Sequence, residues 1–112
     1  MPARPKAPPA LLGVLGQSVT LCMRPRADMP DAYGEWHEEP RRVDLRDDMT
    51  AFDLRDTALH ELMHAIRALQ GREYGGEVEE DYVRSLATGL TVVLRDNPEF
   101  ARWLISHPRK NP

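Results

Sequence analysis

Residues 50–71 read TAFDLRDTALHELMHAIRALQG, and the periodicity of this stretch decides the fold. Leu59, Leu62, Met63, Ile66 and Leu69 recur at i, i+3, i+4, i+7 and i+10, the spacing of one apolar helix face. Thr50 followed three residues later by Asp53 is an acidic variant of the capping box, so the helix starts near residue 51, and Gly71 ends it. Within it, His60-Glu61-Leu62-Met63-His64 sets two histidines four residues apart, about 40° around the axis and about 6 Å along it. Both lie well away from the centre of the apolar face, so they are not core histidines. At that spacing two imidazoles reach one ion, and zinc accepts neutral imidazole nitrogens at about 2.0–2.1 Å. Glu61 lies about 100° from His60, beside the metal's open position rather than among its ligands, where a carboxylate is placed to take a proton from water. The alternative is a pair of ordinary histidines on a solvated face.

An open zinc site needs a third protein ligand, and the chain downstream offers two candidates. A second helix is predicted from about Glu77 to Leu94, because Val83, Leu86, Ala87, Leu90 and Leu94 repeat the helical period and Asp96-Asn97-Pro98 stops it. Gly75-Gly76 hinges it to the first. Glu79 and Glu80 both lie within about 70° of its apolar stripe, an unusual place for a charge that is neither paired nor bound to metal. The residues alone leave the choice between them open. A third, short helix is expected with Asn97 as cap and Pro98 at its first position, burying Phe100, Trp103 and Leu104 until His107-Pro108 breaks it.

Upstream of residue 50 the pattern is that of short strands and turns. Leu11 to Leu15 reads as one or two turns of helix and Gln17 to Met23 as the first strand, with the lone Cys22 packed inside. A turn-rich loop, RPRADMPDAYG, closes at Gly34, and Arg42 to Arg46 alternates like a half-exposed strand that Pro40 assigns to an edge. His37 and His107 are expected to be exposed. Tyr74 and Tyr82 are expected to pack, although a tyrosine hydroxyl beside a metal site can also stabilise an oxyanion.

The 112 residues suffice for one domain, assigned to 11–107, between a proline-rich, disordered arm at 1–10 and a flexible tail at 108–112. Hydrophobic residues make up 41% and charged residues 29%, an ordinary globular composition. The formal charge of −3, from 15 basic and 18 acidic residues interspersed along the chain, supplies no basic field for nucleic acid. No apolar run approaches the roughly 20 residues of a membrane span and no signal-peptide pattern opens the chain, so cytoplasmic residence is expected. Nothing in the sequence sets the oligomeric state.

Two segments together, His60-Glu61-Leu62-Met63-His64-Ala65 and Glu80-x-x-Val83-x-x-Leu86-Ala87-x-x-Leu90, resemble the HExxH metallopeptidases of the ImmA/IrrE type and the short phage-encoded proteins similar to them. The resemblance selects Glu80 over Glu79. It implies a small α+β, zincin-like domain: a short antiparallel sheet whose edge strand, at Val43 to Arg46, lies beside the metal helix, and a second, glutamate-bearing helix against that helix. Zn2+ would be held by His60, His64 and Glu80, with Glu61 as general base for peptide-bond hydrolysis. The implied partner is a protein or peptide substrate, including regulatory proteins. The competing expectation is a non-catalytic binding module in which the same zinc stabilises a small domain.

Overall fold

The computed structural model describes residues 5–72 and 76–106. Among these, four strands form one sheet and three α-helices follow, an α+β domain. The first strand, β1 (Leu11–Val14), occupies the segment expected to be helical. Leu15 and Gly16 follow it with φ of 52° and 79°, the paired positive values of a two-residue hairpin turn, which aligns Val14 with Gln17. That turn commits the short apolar run to pairing with β2 (Gln17–Arg24), and the strand replaces the helix.

A 3₁₀ turn at Arg26–Asp28 leads into β3 (Gly34–His37) and then β4 (Arg42–Arg46), and the sheet order is β1-β2-β4-β3. β2 and β4 run parallel while the other two pairs are antiparallel, so the sheet is mixed rather than antiparallel throughout. This order corrects two expectations. β4 is an interior, buried strand rather than a half-exposed edge, and the edge beside the helix that bears His60 and His64 is β3, a segment whose polar letters gave no strand signal.

Strand alternation sends Val19 on β2 and Val43 and Leu45 on β4 to one face, where they form the core with Val14, Met49 and Leu54. Ala58, Leu62, Ile66 and Leu69 of the first helix, α1 (Ala51–Leu69), pack against that core. The opposite face carries charge instead. Asp44 is buried beneath Arg24, Arg42 and His37, and Arg46 is buried between Asp48, the Met29 carbonyl and the ring of Tyr33. His37 is thus half-buried and partnered, not free, and the Cys22 thiol, expected to be packed, is half-buried in β2.

Thr50 caps α1 as expected, its hydroxyl accepting from the Asp53 N–H at 3.1 Å. The second helix, α2 (Gly76–Asp96), lies against α1 and buries Val83, Ala87 and Thr91. Thr88 Oγ1 donates to Asp56, and Arg67 Nε donates to Glu79 at 2.9 Å, which locks the register of the two helices. Leu86, Leu90 and Tyr82, expected to be buried, are exposed because α1 covers only part of the apolar arc of α2. The third helix, α3 (Pro98–Ile105), also departs from expectation, since Phe100, Trp103 and Leu104 are exposed. Asn97 stands at its N-cap position with Pro98 in the first turn, as expected, but its side chain makes no cap bond: the amide donates back to the Val93 carbonyl and closes the end of α2.

Of the arm at 1–10, residues 5–10 are described; they have no regular structure, and the Ala10 carbonyl accepts from the Leu21 N–H at 2.8 Å. Tyr74, Gly75, His107 and the tail at 108–112 lie outside the described residues. No helix among the described residues is long and apolar enough to cross a membrane.

Candidate metal centre

The i, i+4 spacing in α1 stacks His60 and His64 on one side of the helix, their ring centroids 5.0 Å apart. α2 crosses this side with Glu80 facing both rings. One carboxylate oxygen, Oε1, is 2.8 Å from His60 Nε2, and the other, Oε2, is 3.1 Å from His64 Nε2. One ligand atom from each of the three residues can be chosen so that all lie within 4.8 Å of one another, and the group can hold a metal ion. Neighbouring ligand atoms on a tetrahedron of about 2.0–2.1 Å radius are about 3.3 Å apart, so a group whose ligand atoms lie within 4.8 Å of one another would draw together on an ion. His64 Nδ1 is buried without a hydrogen-bond partner among the described residues, which leaves Nε2 to carry the polar chemistry of that ring. Burial also lowers the pKa of His60, although Glu80 opposes it, and a neutral imidazole is the form that binds metal.

The two glutamates that the spacing alone left open, and between which the resemblance selected Glu80, have separated roles. Glu79 is the more buried, its side chain 9% exposed, but it is neutralised by Arg67, whose Nη2 also donates to the Arg72 carbonyl. Glu80, 40% exposed at the side chain, is the one brought to the histidines. A single 100° step on α2 thus turns one acid toward a guanidinium and the next toward two imidazoles.

Glu61 sits between α1 and the edge strand β3, 8% exposed, with Oε2 4.0 Å from His60 Nε2. Burial pushes its carboxyl up to about 7, and the nearby His64 and a backbone hydrogen bond from Trp36 pull in the opposite direction. Gly34 makes this approach possible. A Cβ there would lie 2.7 Å from Thr57 Cγ2 and 2.9 Å from Glu61 Cγ, distances that real Cβ atoms do not show.

An open cleft of about 350 Å³ runs along this side of the domain, lined by Tyr33, Gly34, Asp56, His60, Glu61 and Arg84 among others. Sequence reasoning named only His60 and Glu61 here. Asp56 was within reach of it, since it lies one helical turn before His60 on the same face, and Arg84 lies one turn after Glu80. Tyr33 and Gly34 carried no comparable signal, because they enter the site only through the pairing of β3. Tyr82 faces away from this cleft, in a different groove between α1 and α2.

No protein-family model, curated protein or solved structure matches this chain.

Proposed function

We propose that the chain is a zinc-dependent metallopeptidase of the HExxH kind, with His60, His64 and Glu80 holding the zinc and Glu61 as general base. The observation that carries this reading is the division of labour among four adjacent side chains. Three converge through their ligand atoms, while the fourth, Glu61, is buried beside them and turned toward the cleft. A structural zinc site is typically closed by four protein ligands, whereas three ligands next to a carboxylate suit the open, hydrolytic type. Zinc bound there supplies Lewis acidity and lowers the pKa of water toward neutrality. Glu61 then holds the attacking water and takes its proton, and the ion pairing of Glu79 with Arg67 keeps the neighbouring acid out of the ligand set.

A peptide is favoured as substrate because β3 is an edge strand. Its pairing with β4 places the Arg46 N–H on the Tyr33 carbonyl, so the groups of the alternate residues, Gly34 and Trp36, face outward beside Glu61, whose carboxyl takes the Trp36 N–H and leaves the others to an incoming strand. An extended chain pairs with such an edge by its backbone, which presents an amide to the site without demanding a particular side chain. A regulatory protein, as the family resemblance implies, would be read by this same edge.

The test is Glu61→Gln. Expected are unchanged zinc stoichiometry, an unchanged melting temperature within a few degrees, and a fall of about 10² to 10⁴ in hydrolysis of a quenched-fluorescence peptide library. Wild-type protein that binds zinc but cleaves no member of the library or of a proteome digest, with Glu61→Gln equally functional in cells, would instead identify a zinc-stabilised binding module.

A further inference from the structure

Helix α2 carries a second apolar surface that the fold leaves uncovered. Taking 100° per residue, Val78, Tyr82, Leu86, Val93 and Leu90 occupy an arc of about 120° next to the buried line Val83, Ala87 and Thr91. All five are exposed, Val78 by 73% and Tyr82 by 65%. At the N-terminal half of the helix this arc forms one wall of a groove of about 540 Å³ whose other wall is Met63 and Ile66 of α1. Beyond the C-terminal end, α3 presents Phe100 stacked on Trp103 at 5.8 Å between centroids, with Leu104 and Ile105 beside them, and none of its residues is buried. The chain therefore carries both an empty apolar groove and an unpacked apolar helix.

These two parts cannot meet within one molecule. α3 begins twelve residues after Leu86, about 18 Å farther along the axis, and its eight residues span about 12 Å, so even folded back along α2 it stops short of the groove. A second copy meets no such limit. With a twofold axis near Leu86, antiparallel pairing of two α2 helices sets Tyr82 over the other copy's Leu90 and carries each α3 toward the other copy's groove. The nine apolar side chains on α2 and α3 are between 42% and 77% exposed, and an interface that covered all of them would approach the roughly 800 Å² per partner of a standard stable interface.

We infer that this face is the interface of a symmetric homodimer in which α2 pairs with α2 and α3 of each copy fills the groove between α1 and α2 of the other. The interface lies about 180° around α2 from Glu80, Arg84 and Thr88, so the metal cleft stays open in the dimer, and the inference does not depend on the proposed activity.

Sedimentation velocity of the full chain from about 1 to 200 µM tests it. A dimer mass is expected at the upper end, with a Kd on the order of 10 µM or tighter. Leu86→Glu and, separately, Trp103→Ala should each raise that Kd by about a hundredfold or more, with helical circular dichroism and zinc uptake unchanged. The unchanged helical circular dichroism separates loss of the interface from loss of the fold. A wild-type chain that stays monomeric throughout, including one that instead binds lipid vesicles through α3, overturns the inference. So does a dimer that persists in both variants.

Discussion

Two histidine–carboxylate contacts in this domain have the same length and different meanings. His37 Nε2 lies 3.1 Å from Asp44 Oδ2, and His64 Nε2 lies 3.1 Å from Glu80 Oε2. Around Asp44, two permanent cations complete the charge: Arg42 Nε at 2.9 Å and Arg24 Nε at 3.4 Å. Its neighbours come from three adjacent strands and tie the outer face of the sheet together. Around Glu80 the guanidinium close by, among the described residues, is that of Arg84, 3.8 Å away and largely exposed, and the partners are two imidazoles from one helix face. A carboxylate with its own cations is an electrostatic cross-link, whereas a carboxylate facing two imidazole nitrogens is a group that could hold a metal ion. Distance alone does not distinguish them; the charge supplied by the surroundings does.

The largest effect should come from removing a histidine from each cluster. His60→Ala is expected to weaken zinc binding by more than the roughly 10- to 100-fold typical of outer-shell changes, while His37→Ala leaves the affinity within about twofold. Zinc titration with a competing chelator reads both, and equal losses would erase the distinction. Stability should show the reverse order. Asp44→Ala leaves Arg24, Arg42 and His37 facing one another at a buried position and is expected to cost about 2–3 kcal/mol in urea denaturation, discounted because the cations are partly exposed. Glu80→Ala in metal-free protein should cost no more than about 1 kcal/mol, because its carboxylate is partly exposed. A larger loss for Glu80→Ala would make the histidine cluster a structural element. An effect on stability between these two concerns the approach of β3 to α1. Gly34→Ala introduces a Cβ against Thr57 and Glu61 and should cost about 1–2 kcal/mol, lowering peptide hydrolysis without lowering zinc stoichiometry. A Gly34→Ala variant as stable and as active as wild type would mean that the seat of Glu61 has slack.

Much of the helical half was legible from letters because helix rules are local. Thr50 and Asp53 mark the start of α1, and the spacing of His60 and His64 places both rings on one side before any tertiary contact is known. The strand half was less legible. Leu11 to Leu15 is an apolar run without a distinguishing period, and only the Leu15-Gly16 turn makes it half of a hairpin. Gly34 to His37 has one large apolar residue, Trp36, so its strand character comes from pairing with β4 rather than from its own pattern.

The sequence by itself determined that two imidazoles share one side of α1, since the residue types and the four-residue period of His60 and His64 are properties of one helix. Tertiary structure decided the rest. Whether Glu79 or Glu80 meets the histidines depends on how α2 is rotated against α1, and Arg67 and Thr88 set that rotation through contacts between residues 12 and 32 positions apart. Which strand lies beside Glu61 depends on β3 joining the far side of β4, an outcome of sheet order that no local pattern encodes. The exposure of Tyr82, Leu86 and Trp103 likewise follows from how much of a helix its one neighbour covers, a quantity that exists only once the elements have packed.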